Sequence, residues 1–297
     1  MEDRATGRIE RVAPGVRRLL APNPSPFTYT GTQTYVVGEG AVAVIDPGPA
    51  SDDHVAALLA ALGDEKIAAI LCTHTHRDHS PASRPLAAAT GAPIIGCAPV
   101  DLAEDHGPRA DEAFDPDYRP DRVLADGETL ASDGWTLRAV ATPGHTSNHL
   151  CFALEGTGIL FTGDHVMGWS TTVVAPPDGD MAAYMASLDL LLARDDRVYF
   201  PAHGPAVEDP RAHVGRLIDH RRERERQILA RLEAEEGRIP AIVASLYAGL
   251  DPRLHGAAGR SVLAHLIDLQ RRGLVRAKGE SWALALKSPP PASIQGP

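Results

Sequence analysis

Cysteine is scarce in this sequence, and long apolar runs are missing from it. Three cysteines in 297 residues, Cys72, Cys97 and Cys151, are odd in number and lie in apolar contexts. That excludes a disulfide framework and predicts buried, reduced thiols. None has the paired spacing of a thiolate zinc site. No apolar run reaches the roughly 18 to 20 residues of a membrane helix, and the opening stretch MEDRATGRIERVAPGVRRLL carries charges where a secretory leader needs its apolar core. A cytoplasmic protein without a membrane span is therefore expected. The remaining composition is ordinary, with 43% hydrophobic and 23% charged residues, which excludes a disordered chain or a fibre and suits one large domain or an ordinary domain plus a small one.

Against this background THTHRDHS, Thr73 to Ser80, stands out, with three histidines and an aspartate in six consecutive positions directly after the apolar run IAAILC. A surface loop collects polar residues for solvation alone, but the spacing here suits metal binding. On an extended segment alternate side chains share a face, so His74 and His76 would grip one ion together. Asp78 and His79 follow where the chain must turn, in position for a second ion.

The front two thirds of the chain read as alternating strands and helices. GTQTYVVGEGAVAVIDPG is a strand pair around Gly38 to Gly40 that ends on Asp46, HVAALLAALG is a short helix closed by Gly63, and IAAILC is the strand that delivers the histidines. TLRAVATPGHTSNHLCFAL, GILFTGD and VYFPAHG supply further strands. Candidate ligands thus stand at four strand ends: His74, His76, Asp78 and His79 at the first, then His145, Asp164 and His203. Open α/β folds place their sites at such ends. Imidazole and carboxylate are ordinary zinc donors, and seven of them suffice for two ions with a position left for water. A carboxylate between the ions, Asp164, would leave the opposite bridging position to a hydroxide nucleophile.

THTHRDH, followed in order by TPGHT, FTGD and PAHG, resembles the metallo-β-lactamase superfamily over nearly the whole chain. NPSPFTYTGTQTYVVG, VIDPG, GDHVMGWSTTVV and the tail are most similar to its beta-lactamase-like protein 2 branch, which includes a single-strand endoribonuclease. The resemblance implies an α/β fold, the αββα metallo-β-lactamase sandwich, followed by a small C-terminal winged-helix-like domain. It implies two Zn2+ per chain: His74, His76 and His145 on the first, Asp78, His79 and His203 on the second, and Asp164 on both, with Asp78 also catalytic and Asp46 orienting a ligating histidine. Two departures matter. Many relatives follow His79 with a glycine pair where this chain reads HSPAS, and the true β-lactamases usually lack a histidine at this position, which argues against penicillin hydrolysis as the main task.

Domain boundaries are expected at 1–210 for the metal domain, 211–287 for a linker helix with the winged-helix-like domain, and 288–297 for a disordered tail. Charge supports the division: from Pro205 onward there are 15 Lys+Arg against 11 Asp+Glu, leaving 14 against 28 before it. The helix opens near His213, with Val214, Leu217, Ile218, Ile228, Leu229 and Leu232 on its apolar face. IPAIVASLYAGL, a break at Asp251-Pro252, RSVLAHLIDLQRRGLV and RAKGESWALAL then read as helix, turn, helix and β wing. Arg260, Arg271, Arg272, Arg276 and Lys278 would line one side of it and meet phosphates, although a modest arginine surplus is usually a solvated face.

Other residues carry less. His149 and His165 are expected to be polar partners near the site. His54, His106, His213, His220, His255 and His265 read as solvated or hydrogen-bonded histidines, and Trp169 and Tyr184 as packing residues. Two substrate classes follow. A small or carrier-bound acyl ester or thioester is favoured, because the acidic front domain repels anionic single-stranded RNA, the alternative. A full set of seven ligands disfavours an inactive metal-binding adaptor.

Overall fold

The computed structural model describes residues 6–100 and 114–285, so the tail at 288–297 and His106 lie outside the described residues. The chain divides into two compact units, residues 1–219 and 220–297.

The first unit is a sandwich of two sheets. Its seven-stranded sheet runs in chain order, β1 (Ile9–Ala13), β2 (Val16–Leu20), β3 (Gln33–Val37), β4 (Ala41–Ile45), β5 (Lys66–Cys72), β6 (Ile94–Gly96) and β7 (Arg122–Val123). β1 to β4 form an antiparallel meander. From β4 onward the pairing is parallel, because α1 (Asp52–Leu62) and α2 (Ser83–Thr90) return the chain to the same edge each time. β3 and β4, QTYVV and AVAVI, are almost wholly buried, as strands covered on both faces must be. α1 begins on Ser51, whose side chain accepts from the His54 N–H, and closes on Gly63 as the sequence predicts.

The second sheet has the order β12 (Val198–Pro201), β11 (Ile159–Gly163), β10 (Leu150–Leu154), β9 (Trp135–Ala141), β8 (Thr129–Ser132). Tyr35 of the first sheet meets Phe161 and Phe200 of the second at ring-centroid distances of 5.1 and 5.6 Å, and the Trp135 indole N–H donates to the Ala41 carbonyl across the sandwich. The three thiols are buried and free. α3 (Met181–Leu192) joins β11 to β12, starting on Asp180, whose carboxylate accepts from the Ala183 N–H.

Topology decides where the ligand-bearing loops fall. β9 and β11 both pair antiparallel with β10, and β12 is parallel to β11. The carboxyl ends of β9, β11 and β12 therefore lie at one edge of that sheet. Two backbone bonds stitch this edge to the first sheet: Leu150 N–H to Thr73 O at 2.8 Å and Gln33 N–H to Ala202 O at 2.9 Å. Hence His145, Asp164 and His203 meet the loop that follows β5.

The second unit contains the end of α4 (Pro210–Glu233), then α5 (Ile239–Leu246), a short 3-10 turn (Pro252–Leu254), α6 (His255–Arg271) and a hairpin of β13 (Val275–Lys278) with β14 (Ser281–Leu284). Ile228, Leu232, Ile242, Val262, Leu266 and Leu269 form its core. The helix, turn, helix and wing order matches the sequence reading. Arg272 differs from expectation: it is held by Glu225 and by Asp268 at 2.5 and 3.2 Å, so its charge is already matched within the unit. Arg276 and Lys278 are exposed, and Arg260 is half-buried.

Candidate metal centre

β5 ends at Cys72, and residues 73–80 bend instead of continuing the strand. His74 and His76 therefore do not share the face of a continuous strand that the sequence leads one to expect. The two rings nevertheless meet, His74 Nε2 lying 3.0 Å from His76 Nδ1, because the bend turns them toward one point. His145 Nε2 is 3.1 Å from the same His76 nitrogen and 3.7 Å from Asp164 Oδ2. Donors bound tetrahedrally at about 2.0 to 2.1 Å stand roughly 3.3 Å apart. This is the spacing of a metal site.

A second group forms alongside. Asp78 Oδ2 lies 3.3 Å from His79 Nε2 and 3.1 Å from His203 Nε2. Asp164 reaches it too, with Oδ1 at 3.2 Å from His203 Nε2 and Oδ2 at 3.6 Å from His79 Nε2. In each group the donor atoms lie within 4.8 Å of one another. All seven residues predicted from the sequence are thus brought together, and Asp164 stands between the two groups.

Whether the residues fit a metal is decided by the protons. The His79 Nδ1–H donates to Asp46 Oδ2 at 3.0 Å, the His145 Nδ1–H to Val173 O at 2.6 Å, and the His203 Nδ1–H to Gly31 O at 3.3 Å. The Thr73 hydroxyl donates to Asp46 Oδ2 at 2.8 Å and so accepts from the His74 Nδ1–H at 3.0 Å. With Nδ1 committed behind, Nε2 is the atom that each of these four rings turns into the centre, free to ligate a metal once it carries no proton. His79 Nε2 and Asp164 Oδ1 are buried without a hydrogen-bond partner. Converging ring nitrogens and carboxylates in a largely buried space suit a divalent cation.

Charge is divided between the two groups. Burial, then the neighbouring His79, holds His74 well below the usual imidazole range, and burial followed by His145 pushes His76 down to about 3. Burial also lowers His145, against the pull of Asp164. In the other group burial is overridden: Asp78 and Asp164 raise His79 well above its ordinary value, and Asp164 raises His203 to about 10. The metal-free centre thus sets two imidazolium ions against two carboxylates, and a cation entering beside His79 and His203 must displace their protons.

Partners of these donors extend outward. Asp46 accepts from the Thr73 N–H and hydroxyl and from His79, so one carboxylate orients a histidine in each group. Thr32 Oγ1 donates to Asp78 at 3.2 Å. His149 accepts from the Asp164 N–H at 3.3 Å and donates to Thr142 Oγ1 at 2.8 Å, which positions the shared carboxylate. Two glycines are required for this fit. A Cβ on Gly163, at φ +49°, would fall 2.7 Å from both His149 Nε2 and Thr73 Oγ1, and one on Gly144 would fall 2.3 Å from Tyr184 Cα. Ser80, in place of the usual glycine, donates to buried Asp115 at 2.9 Å and leaves every ligand untouched. His54 is buried and bonded to Thr34, and Tyr184 is packed in the interior.

Known proteins agree with this geometry. The family model for the metallo-beta-lactamase superfamily matches residues 28–203, and that for the beta-lactamase associated winged helix domain matches residues 239–282. The chain belongs to the metallo-beta-lactamase superfamily. It is 37% identical over 231 residues to an atrochrysone carboxyl ACP thioesterase of Aspergillus chevalieri, covering 75% of this chain and 68% of the relative. A beta-lactamase-like protein 2 homolog of Drosophila melanogaster is 32% identical over 278 residues, covering 90% and 92%. Among solved structures, a metallo-beta-lactamase family protein of Thermus thermophilus superposes with a TM-score of 0.76 at 26% identity, over 92% of this chain and all of that one. With its superfamily fold, metal-grade donors and thioesterase-named relatives, the protein is a metal-dependent hydrolase. Among the described residues, no helix is long and apolar enough to cross a membrane.

Proposed function

We propose that the protein hydrolyses an acyl thioester, carrier-bound or small, at a centre holding two divalent ions, most simply Zn2+. His74, His76 and His145 would hold one ion, Asp78, His79 and His203 the other, and Asp164, within reach of both groups, would serve each. When bound, the metals supply Lewis acidity toward the carbonyl oxygen and an activated water. The chain supplies the rest. Asp78 is the more accessible carboxylate, its side chain 26% exposed against 12% for Asp164, and it takes the proton of the attacking water and returns it to the departing sulfur. Water's oxygen adds to the carbonyl carbon and the carbon–sulfur bond breaks, which gives an acid and a thiol. Residues 1–210 carry this chemistry, and residues 211–287 form the linker helix and winged-helix-like domain.

The observation that carries the hydrolase reading is the convergence of seven donors with four rings oriented from behind. Two facts favour an acyl over a phosphodiester substrate: the thioesterase names of several relatives and the excess of acid before Pro205, which repels a polyanion. The second reading is hydrolysis of single-stranded RNA, favoured by the near full-length match to a beta-lactamase-like protein 2 homolog and by exposed Arg276 and Lys278. A turnover panel of acyl thioesters, lactones and single-stranded RNA on zinc-loaded protein, with Asp78→Ala as control, separates them. Thioester turnover without RNA cleavage supports the first reading, and the reverse result replaces it by the second.

A further inference from the structure

We propose that Tyr29 and Trp169 form a stacking shelf beside the metal centre that selects a planar aromatic or conjugated acyl group. The inference rests on the thioesterase reading and names the substrate class within it. Aromatic residues make up only 5% of the chain, yet these two rings lie face to face, with centroids 5.0 Å apart and planes 21° from parallel, and both are half-buried.

Both ends of the pair are tied to the ligands. Tyr29 lies two residues before Gly31, whose carbonyl accepts from His203, and three before Thr32, which donates to Asp78. Trp169 packs on Gly204, the neighbour of His203, where an added Cβ would lie 3.0 Å from the Trp169 Cβ. The shelf is therefore fixed within a few residues of the reacting centre.

Packing alone does not account for Tyr29. Its φ is +59°, a left-handed backbone that a bulky side chain adopts at a cost and that glycine or asparagine adopts readily. The loop holds it there. Ser25 Oγ accepts from the Phe27 and Thr28 N–H groups, Thr28 Oγ1 donates to Asn23 O, and Asn23 Oδ1 accepts from the Thr32 N–H. The binding role rests on this strained backbone, on the half-exposure of the ring, and on its place two residues before the carbonyl that His203 bonds. Phe27, two residues earlier and 49% exposed, adds apolar surface on the same loop. The partner chemistry follows: a flat, apolar π-face stacks on such rings. The acid excess of this region, 28 Asp+Glu against 14 Lys+Arg before Pro205, favours an aryl group over a phosphate-bearing base.

The test compares 2-naphthoyl and octanoyl thioesters of one thiol on zinc-loaded wild type, Tyr29→Asn, which keeps the turn, and Tyr29→Phe, which keeps the ring. Binding of the product acid 2-naphthoate is measured by calorimetry. Trp169→Leu stands in if Tyr29→Asn loses its metal or its fold, judged by elemental analysis and circular dichroism. The ratio of kcat/KM for naphthoyl over octanoyl should fall about tenfold in Tyr29→Asn and recover in Tyr29→Phe, the size expected for aromatic contacts. Naphthoate affinity should fall in parallel. If both thioesters are cleaved and the ratio does not move, the shelf is refuted while the thioesterase reading survives. If no thioester is cleaved yet naphthoate binds in a Tyr29-dependent way, the reading fails and ring selection stands. Absence of naphthoate binding, or Tyr29-dependent binding of a single-stranded oligonucleotide alone, overturns the proposal.

Discussion

Histidines are buried in both units of this protein, and they are used in opposite ways. At the metal centre His74, His79, His145 and His203 each give their Nδ1 proton to a fixed acceptor, Thr73, Asp46, Val173 O and Gly31 O, and turn the other nitrogen toward a shared space. In the second unit His265 is equally buried, but burial followed by the charges of Arg221 and Arg224 pushes it down to about 3, and burial with the same arginines pushes His220 down to about 4. Burial alone therefore does not make a ligand. What distinguishes the centre is a partner behind each ring and a carboxylate in front of it.

The largest effect that sharpens this contrast comes from the carboxylates in front. Asp164→Ala, which removes the donor standing between both groups, should lower kcat/KM by at least about 10³-fold, or roughly 4 kcal/mol of transition-state stabilisation. Elemental analysis should show metal lost from both groups, whereas His203→Ala should empty mainly one. Next come the groups behind the rings. Asp46→Asn leaves every ligand in place but weakens the hold on His79 and on the Thr73–His74 pair, so metal affinity measured by competition with a chelator should fall about 10- to 100-fold. His149→Leu should cost about tenfold by the same logic, through the orientation of Asp164 alone. Equal chelator curves for wild type and Asp46→Asn would show that the distinction between the two sets of histidines is superficial.

Acid should act on the second unit through its own histidines. The folded pKa of His265 lies below the ordinary 6.5, so below about pH 6.5 the unfolded chain binds a proton that the folded one refuses. Its contribution to stability is complete above that pH and lost as pH falls toward about 3. Between pH 6.5 and 5 the loss is on the order of 1 to 2 kcal/mol. Hydrogen exchange over α6 should accelerate across this window and do so less in His265→Leu. The smallest effect is expected at Arg272→Gln. This exposed residue pairs with Glu225 and Asp268, and surface ion pairs contribute roughly 0 to 1 kcal/mol, so a melting temperature within a few degrees of wild type is expected.

Much of the centre is legible in the sequence because its donors fall directly after apolar runs. IAAILC, GILF and VYFP are separated by one or two residues from His74, Asp164 and His203, and short strands with polar ends are readable locally. The partners behind the rings are less visible. Asp46 is marked by its place after a strand, but Thr73, Thr32 and Thr142 look like any strand-end threonine, and the Val173 and Gly31 carbonyls carry no side-chain signal at all. His74 and His76 meet through the bend that follows Cys72 and not through a shared strand face, which a local reading of the sequence does not show. β1, β2 and α3 carry no ligand motif and go unmarked in the sequence reading. Arg272 reads as free for phosphate, and only the fold places Glu225, distant in sequence, beside it.

If the seven donors form a paired metal centre that performs hydrolysis, turnover must follow metal occupancy. Protein stripped with chelator is titrated with Zn2+ near pH 7.5 while bound metal and acyl-thioester turnover are followed together. Saturation is expected at two ions per chain, with proton release as the group containing His79 and His203 fills, and with turnover that rises with occupancy and is absent from the stripped protein. Full turnover by the stripped protein, or a titration that ends with no ion bound, would contradict it.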